Sequence, residues 1–154
     1  MTSMRRQRVE IVKFAARRVA CYEHRGPRWH LNQSIRKFVE WRRQNHLPPR
    51  LSATFNVFYD STDTRIDLCA ATDKDIDTNS IGVVAKTIPG GRCAMLRHIG
   101  SDNTLGQTVA YLYGEWLPQS GEELRDFPLF CERVDFAPDV PEDEAVTDVY
   151  LPLR

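Results

Sequence analysis

The 154-residue sequence lacks several features that would identify its chemistry at once. It carries no surplus of charge, because 21 Lys and Arg residues balance 21 Asp and Glu residues. No net field therefore draws the whole chain onto DNA phosphates. No apolar run approaches the ~20 residues that span a bilayer, and no secretion signal opens the sequence. We expect a cytoplasmic protein without a membrane partner or direct DNA binding.

Metal and nucleotide motifs are also missing. The four cysteines lack C-x-x-C spacing, which predicts reduced, mostly buried thiols rather than disulfides or a zinc site. The aspartates of segment 73–77 resemble the start of a calcium loop, but Thr78 occupies the position of the obligatory glycine. His24 and His98 are expected to be structural. No Gly-rich phosphate loop or G-x-S-x-G motif occurs, so we expect no metal, no cofactor and no catalytic residue fixed by a motif.

An internal repeat covers nearly the whole sequence. Residues recur unchanged 74 positions later: Val9, Arg18, Ala20, His24, Gly26, Leu31 and Gln33 align with Val83, Arg92, Ala94, His98, Gly100, Leu105 and Gln107. Two copies are too few for a solenoid and predict one domain with a pseudo-twofold axis and a shared cleft. We expect a flexible tail over residues 1–8 and a single domain over residues 9–154, with copies at about 9–77 and 81–154.

Each copy is predicted to contain a strand, a helix and two further strands. In the first copy, residues 9–22 form the strand, residues 31–46 the helix, and residues 54–59 and 65–72 a hairpin with its turn at 60–63. In the second copy, strand-like segments 81–88 and 92–99 precede a helix that starts at Leu105. Segments 127–136 and 146–153 are the last two strands. Pro48-Pro49 is predicted to end the first helix, and Pro118 and Gly121 the second.

This order of elements predicts the α+β class. The economical packing places the duplicated strand-helix-strand-strand units in an antiparallel sheet, with two helices on one face and a groove between them. That groove is the predicted site.

Motifs in the second half resemble a known family. Residues 113–121 (YGEWLPQSG), 125–128 (RDFP) and 147–153 (TDVYLPL) are similar, in order and spacing, to the GyrI-like family. These domains bind effectors at the end of AraC-type bacterial transcription regulators, and they also occur free-standing. The resemblance covers about residues 8–154. It implies a ligand groove between the two helices, where members bind amphipathic, often cationic and aromatic small molecules with aromatic walls and a buried acidic residue.

One strand departs from the family pattern. Many members carry P-x-[FY]-E there, whereas in this chain Phe130 is followed by Cys131 and then by Glu132. Because side chains alternate across a strand, Glu132 is predicted to point to the opposite face unless a bulge redirects it. The carboxylate that pairs with cations in the family, and any hydrolase activity that depends on it, therefore do not carry over to this strand.

Candidate ligand-binding residues are Tyr22, Trp29, Trp41, Phe55, Tyr111, Tyr113, Glu115, Trp116, Cys131 and Glu132. Aromatic faces suit a groove for flat or cationic ligands, because they offer contact area and attract cations. Trp116 continues the apolar stripe of its helix, so it is either a core residue or a ligand contact. Trp41 lies on the flank of the first helix and faces either the groove or the solvent edge. Glu115 either supplies the charge that Cys131 lacks or is a solvated surface carboxylate.

We therefore expect a small-molecule-binding effector sensor or sequestering protein rather than an enzyme. The resemblance leaves two alternatives open, since some free-standing members are described as gyrase-inhibiting or toxin-protective and others as hydrolases of cyclopropane-containing compounds. One alternative is a hydrolase of reactive xenobiotics that uses Glu115, Glu132 and Tyr113. The other is an inhibitor of DNA gyrase that acts by protein contact, so a regulator or gyrase is the expected protein partner.

Overall fold

The computed structural model describes residues 8–59 and 65–154. Its strands are β1 (Glu10–Phe14), β2 (Arg17–Arg25), β3 (Thr54–Tyr59), β4 (Arg65–Ala71), β5 (Val84–Ile88), β6 (Gly91–Ile99), β7 (Phe130–Asp135) and β8 (Val146–Pro152). The helices are α1 (Leu31–Gln44), α2 (Leu105–Tyr111) and α3 (Leu117–Ser120), with a π-helical turn at Leu112–Trp116 between the last two. The predicted hairpin turn at residues 60–63 and residues 1–7 of the predicted tail lie outside the described residues.

Residues 15–59 and 65–90 form one compact unit, which we call the central unit. Its strands are ordered β3-β4-β2-β5 and pair antiparallel throughout. Helix α1 covers one face of this sheet. The core between them comprises Ala20, Phe38, Trp41, Leu47, Ile66, Leu68, Ala70 and Val83. Burial of these apolar side chains holds the helix on the sheet.

The terminal unit comprises the described residues 8–14 and 91–154. Its strands are ordered β1-β6-β8-β7, again antiparallel. The helical segment covers one face through Leu105, Thr108 and Leu112, which are all buried. Each unit is thus an antiparallel sheet with a helix on one face, which confirms the predicted α+β class.

The first strand of each sequence copy lies in the unit built mainly from the other copy. β1 pairs with β6, and β5 pairs with β2. The sequence predicted one continuous strand over residues 9–22, and the structure instead divides it at Ala15 and Ala16, which are exposed. The strand is divided because β1 belongs to the terminal unit, whereas β2 belongs to the central unit.

Helix α1 ends two residues before the predicted boundary. His46 adopts a left-handed φ of 59°, and the Leu47 N–H donates to the Arg42 carbonyl at 2.9 Å. A hydrogen bond from an N–H to the carbonyl five residues earlier, with a left-handed residue just before the donor, is the Schellman motif that ends many helices. Pro48 then prevents further helix, as predicted.

Within 8–59 and 65–154, no helix is both long and apolar enough to cross a membrane. The four cysteines are all buried free thiols.

Candidate functional site

Strand alternation gives each sheet two faces. We call the face covered by the helix the helix-side face and the other one the far face. In the central unit, Ile66 and Leu68 of β4 are on the helix-side face, because they belong to the same core cluster as Phe38 of α1. Phe55 and Cys69 are cross-strand partners on the far face. The faces decide which candidate side chains can share one ligand.

A buried histidine ties the end of a strand to the helix in each unit. His24 Nδ1 lies 2.7 Å from Ser34 Oγ, and His98 Nδ1 lies 2.9 Å from Thr108 Oγ1. These are repeat-equivalent contacts, and they place both histidines at the strand-to-helix junction in the structural role that was expected. Among the described residues, no group of three or more His, Cys, Asp or Glu side chains could hold a metal ion.

The aromatic candidates of the central unit are split between core, surface and far face. Tyr22 and Trp41 both stack on Phe38, with ring centroids 6.3 and 5.9 Å apart. Trp41 is only 8% exposed, so it is a core residue rather than the flank residue that its spacing suggested. Trp29 is exposed in a short 3-10 turn, and Phe55 is fully buried on the far face.

Ile35 and Val39 form the exposed apolar surface of α1. The sequence placed them in the same stripe as Phe38, but Ile35 is 38% exposed and Val39 is 56% exposed. The buried arc of the helix instead runs through Phe38, Trp41 and Arg42. Because Arg42 is a charged residue, the apolar pattern alone could not reveal that arc.

The π-helical turn carries three candidates of the second helical segment, and the fourth, Tyr111, is the last residue of α2. The defining bond of the turn runs from the Leu117 N–H to the Leu112 carbonyl, which is an i→i+5 bond. Tyr113 is 41% exposed and Glu115 is exposed, whereas Tyr111 and Trp116 are half-buried. The surface of this turn therefore combines an aromatic ring and a carboxylate.

Cys131 and Glu132 point to opposite faces of the terminal sheet. Cys131 is paired with Val149 on the helix-side face and is fully buried. Glu132 is paired with Asp148 on the far face. The β7 bulge falls after these residues, between Arg133 and Asp135, so it does not redirect Glu132. The helix-side face of β7 consequently has a thiol where the family pattern has a carboxylate.

The far face of the terminal unit holds polar residues that sequence reasoning missed. Arg97 donates to both carboxylate oxygens of Asp148, at 2.7 and 3.0 Å. Burial raises the pKa of Tyr150 to about 12, and the carboxylates of Asp148 and Glu132 add to the shift. Alternation in the T-D-V-Y-L-P segment could have revealed that Asp148 and Tyr150 share a face.

The far face of the central unit holds a second ionic cluster that the sequence did not reveal. Arg65 and Lys86 both contact Glu23 and Asp67, and Arg65 also lies 3.8 Å from the ring centroid of Tyr59. The hydrogen bond from Lys86 lowers the pKa of Glu23, although burial opposes the shift. Two cations therefore compensate two carboxylates on this face.

The residues named for a hydrolase do not assemble into one constellation. Tyr113 and Glu115 belong to the helical segment, and Glu132 is on the far face of the same sheet. A general acid or base must come within hydrogen-bond reach of the substrate atom on which it acts. The sheet of the terminal unit lies between Glu132 and the other two side chains.

A groove of about 640 Å³ lies in the central unit, between α1 and the segment that follows β4. Its lining includes cations such as Arg36 and Lys74 and carboxylates such as Glu40 and Asp77. Trp41 lines it as well, so charged side chains of both signs and an aromatic residue meet in this groove.

The chain belongs to the GyrI-like family of small-molecule-binding domains, whose family model matches residues 7–154. Membership of this family supports binding of a small molecule by a domain that is related to transcription regulators. The chain is similar to the Escherichia coli (strain K12) protein named "Probable transcriptional regulator YgiV". The two are 36% identical over 152 residues, which cover 94% of this chain and 95% of that protein.

Solved structures share the fold at low sequence identity. This chain is similar to EcmrR in an EcmrR–DNA complex, with a TM-score of 0.80 and 13% sequence identity. The similarity covers 96% of this chain and 57% of the EcmrR chain. This chain therefore spans little more than half of EcmrR. SAV2435 bound to tetraphenylphosphonium has a TM-score of 0.64 and 12% identity, covering 96% of this chain and 94% of that one.

Proposed function

We propose that the chain binds amphipathic aromatic small molecules through the exposed surfaces of its helices, as an effector sensor or sequestering protein related to transcription regulation. The supporting observation is that both helices expose an apolar or aromatic group at one repeat-equivalent position, Val39 and Tyr113, whereas Ile35 is exposed and its counterpart Val109 is half-buried. Ile35 and Val39 of α1 align with Val109 and Tyr113 of the second helical segment. Ile35, Val39 and Tyr113 are all at least 38% exposed.

Exposed apolar surface of this kind has a physical meaning. Water contact with large apolar side chains is unfavourable, and clustered exposure typically marks a surface that is covered by a ligand or partner. An aromatic ring such as that of Tyr113 adds a flat contact area and a polar hydroxyl. A ligand with aromatic rings and one polar or charged group fits this combination. The predicted groove between the helices remains a prediction.

Charge is expected to be secondary in ligand choice. Cys131 replaces the carboxylate of the family pattern on the helix-side face, and Glu132 is on the far face. Glu115 is the exposed acidic group of the π-helical turn, where water screens its attraction for a cation. We therefore propose a preference for aromatic shape, with at most a weak preference for positive charge. The relative SAV2435, which is bound to tetraphenylphosphonium, suggests the shape to test.

Isothermal titration with two ions of the same shape tests this proposal. Tetraphenylphosphonium and tetraphenylborate have nearly equal size and opposite charge. We expect saturable binding of the cation, with an affinity within about tenfold of that of the anion. A cation preference well above about a hundredfold would show that a carboxylate controls binding. Absence of saturable binding of either ion would contradict the proposal.

A protein partner is a separate part of the prediction. A regulator or DNA gyrase remains the expected partner, and a supercoiling assay with the added chain tests the gyrase interaction. Inhibition at stoichiometric concentration would support a protein contact. Unchanged supercoiling would leave small-molecule binding as the sole proposal.

A further inference from the structure

The π-helical turn coincides with a one-residue insertion between the two sequence copies. The copies keep the 74-residue offset as far as Phe38 and Leu112, which are both buried. Glu40-Trp41 then corresponds to Glu115-Trp116, one residue later than the offset predicts. The extra residue therefore falls inside Leu112–Trp116, the segment with the i→i+5 bond. A helix absorbs an added residue in this way without changing the register on either side.

The insertion changes what the helix presents to solvent. The single position of Val39 in α1 becomes the pair Tyr113-Gly114 in the second helical segment. Both Tyr113 and Gly114 are exposed. A Cβ built on Gly114 would have no heavy atom within 4 Å, and its φ is not in the left-handed region. Neither close packing nor backbone strain thus requires glycine here.

The same insertion accompanies a change in the following tryptophan. Trp41 is buried and stacks on Phe38. Trp116 is half-buried, and the residue that corresponds to Phe38 in its copy is Leu112, which has no aromatic ring. The π-helical turn therefore distinguishes the two copies in three ways: an exposed tyrosine, an adjacent bare backbone and a partly accessible indole. Such turns are retained preferentially at functional sites.

We propose that the inserted residue is the specificity-determining feature of the second helix. A side chain at Gly114 would meet open space, so a flat aromatic group of the ligand can approach the bare backbone next to Tyr113 in the chain, and α1 has no counterpart of this glycine. This inference rests on the proposed binding of aromatic small molecules and assigns the contact of one ring to the π-helical turn. It predicts that ligand choice depends on the insertion rather than on the parts that the copies share.

Variants at Gly114 test the inference with tetraphenylphosphonium as the probe. Deletion of Gly114 restores the register of α1, and Gly114→Leu keeps the insertion but fills the space. Both variants are expected to weaken binding by at least about tenfold. Gly114→Ala is the matched control and is expected to change affinity by less than about threefold, because its Cβ meets no neighbour.

The possible outcomes separate this inference from the proposed function. Wild-type binding with unchanged affinity in folded Gly114→Leu and deletion variants would overturn the inference and leave the proposed function intact. If the deletion variant does not fold, Gly114→Leu alone decides, since its side chain projects into open space. Failure of the wild-type chain to bind the probe would overturn both.

Discussion

Arg42 illustrates, at the scale of one residue, how polar chemistry can complete a core. Arg42 is 4% exposed, and its guanidinium donates to the Leu47 carbonyl, the Thr54 hydroxyl and the Ser52 carbonyl, at 2.8 to 2.9 Å. Burial lowers its pKa to about 10, so the group is still charged at neutral pH. These bonds fasten the chain after α1 to the helix and the start of β3.

Replacement of Arg42 should therefore be costly. We expect Arg42→Ala to lower the free energy of unfolding by about 3 kcal/mol, because buried oxygen acceptors lose charged donors. The neighbouring Arg43 provides a matched control, since it is exposed and, among the described residues, pairs with Glu40. Arg43→Ala should leave the free energy of unfolding nearly unchanged, because water screens an exposed ion pair. Urea denaturation measures both values, and equal losses would show that Arg42 does not have the role described.

Cys131 is the residue at which this chain differs from its family's pattern. A glutamate there would be a buried carboxylate, so we expect Cys131→Glu to lower the free energy of unfolding by about 2–4 kcal/mol at neutral pH. Cys131→Gln is the matched control for size, and urea denaturation measures both variants. A loss in Cys131→Gln equal to that in Cys131→Glu would show that the buried charge is not the cause.

At the scale of elements, the segment between β4 and β5 depends on one side chain. The Asn79 amide donates to the carbonyls of Asp77 and Val83, at 2.9 Å each. Its oxygen accepts from the backbone N–H groups of Gly82 and Val83, at 2.9 and 2.8 Å. These four hydrogen bonds stabilise the turn that precedes β5.

Graded substitution tests that dependence. Asn79→Ala removes all four bonds, and we expect it to lower the free energy of unfolding by about 2 kcal/mol, since the site is only partly buried. Asn79→Asp keeps the accepting oxygen and should lose about half as much. Chemical denaturation of the two variants gives the comparison. A loss in Asn79→Asp equal to that in Asn79→Ala would contradict the importance of the accepted bonds.

The elements also show how far the sequence could predict the structure. Hydrophobic period and proline positions located α1 and most strands, because local patterns determine these elements. The break at Ala15 and Ala16 was missed, because the alternation of apolar and polar residues does not show with which unit a strand pairs. The π-helical turn was visible only as an offset of one residue in the repeat, and a sequence offset alone does not say how a helix absorbs it.

Side-chain placement was predicted less well than the elements. The alternation argument for Cys131 and Glu132 agrees with the strand pairing, since no bulge intervenes before them. Trp41 was placed on a flank, because Arg42 was not recognised as part of the buried arc. The ionic clusters on the far faces were missed, since each brings together residues from different strands. Cross-strand pairs of this kind depend on register, which one sequence does not display.

At the scale of the whole molecule, duplication builds the scaffold and divergence between the copies supplies the proposed specificity. The buried histidines and their hydroxyl partners are shared by both copies. The exposed groups differ, with Val39 in one copy and Tyr113-Gly114 in the other. Family membership establishes small-molecule binding in general terms. The proposal that the helix surface performs it depends on Tyr113 more than on any other residue.

The most direct measurement is therefore a titration of tetraphenylphosphonium into the wild-type chain, Tyr113→Ala and Val134→Ala. Val134 is a matched control, because it is a similarly exposed apolar residue on β7, 38% against 41% for Tyr113. We predict saturable binding to the wild type, affinity at least about tenfold weaker in Tyr113→Ala, and no change in Val134→Ala. Equal affinity in all three folded proteins, or no saturable binding to the wild type, would contradict the account.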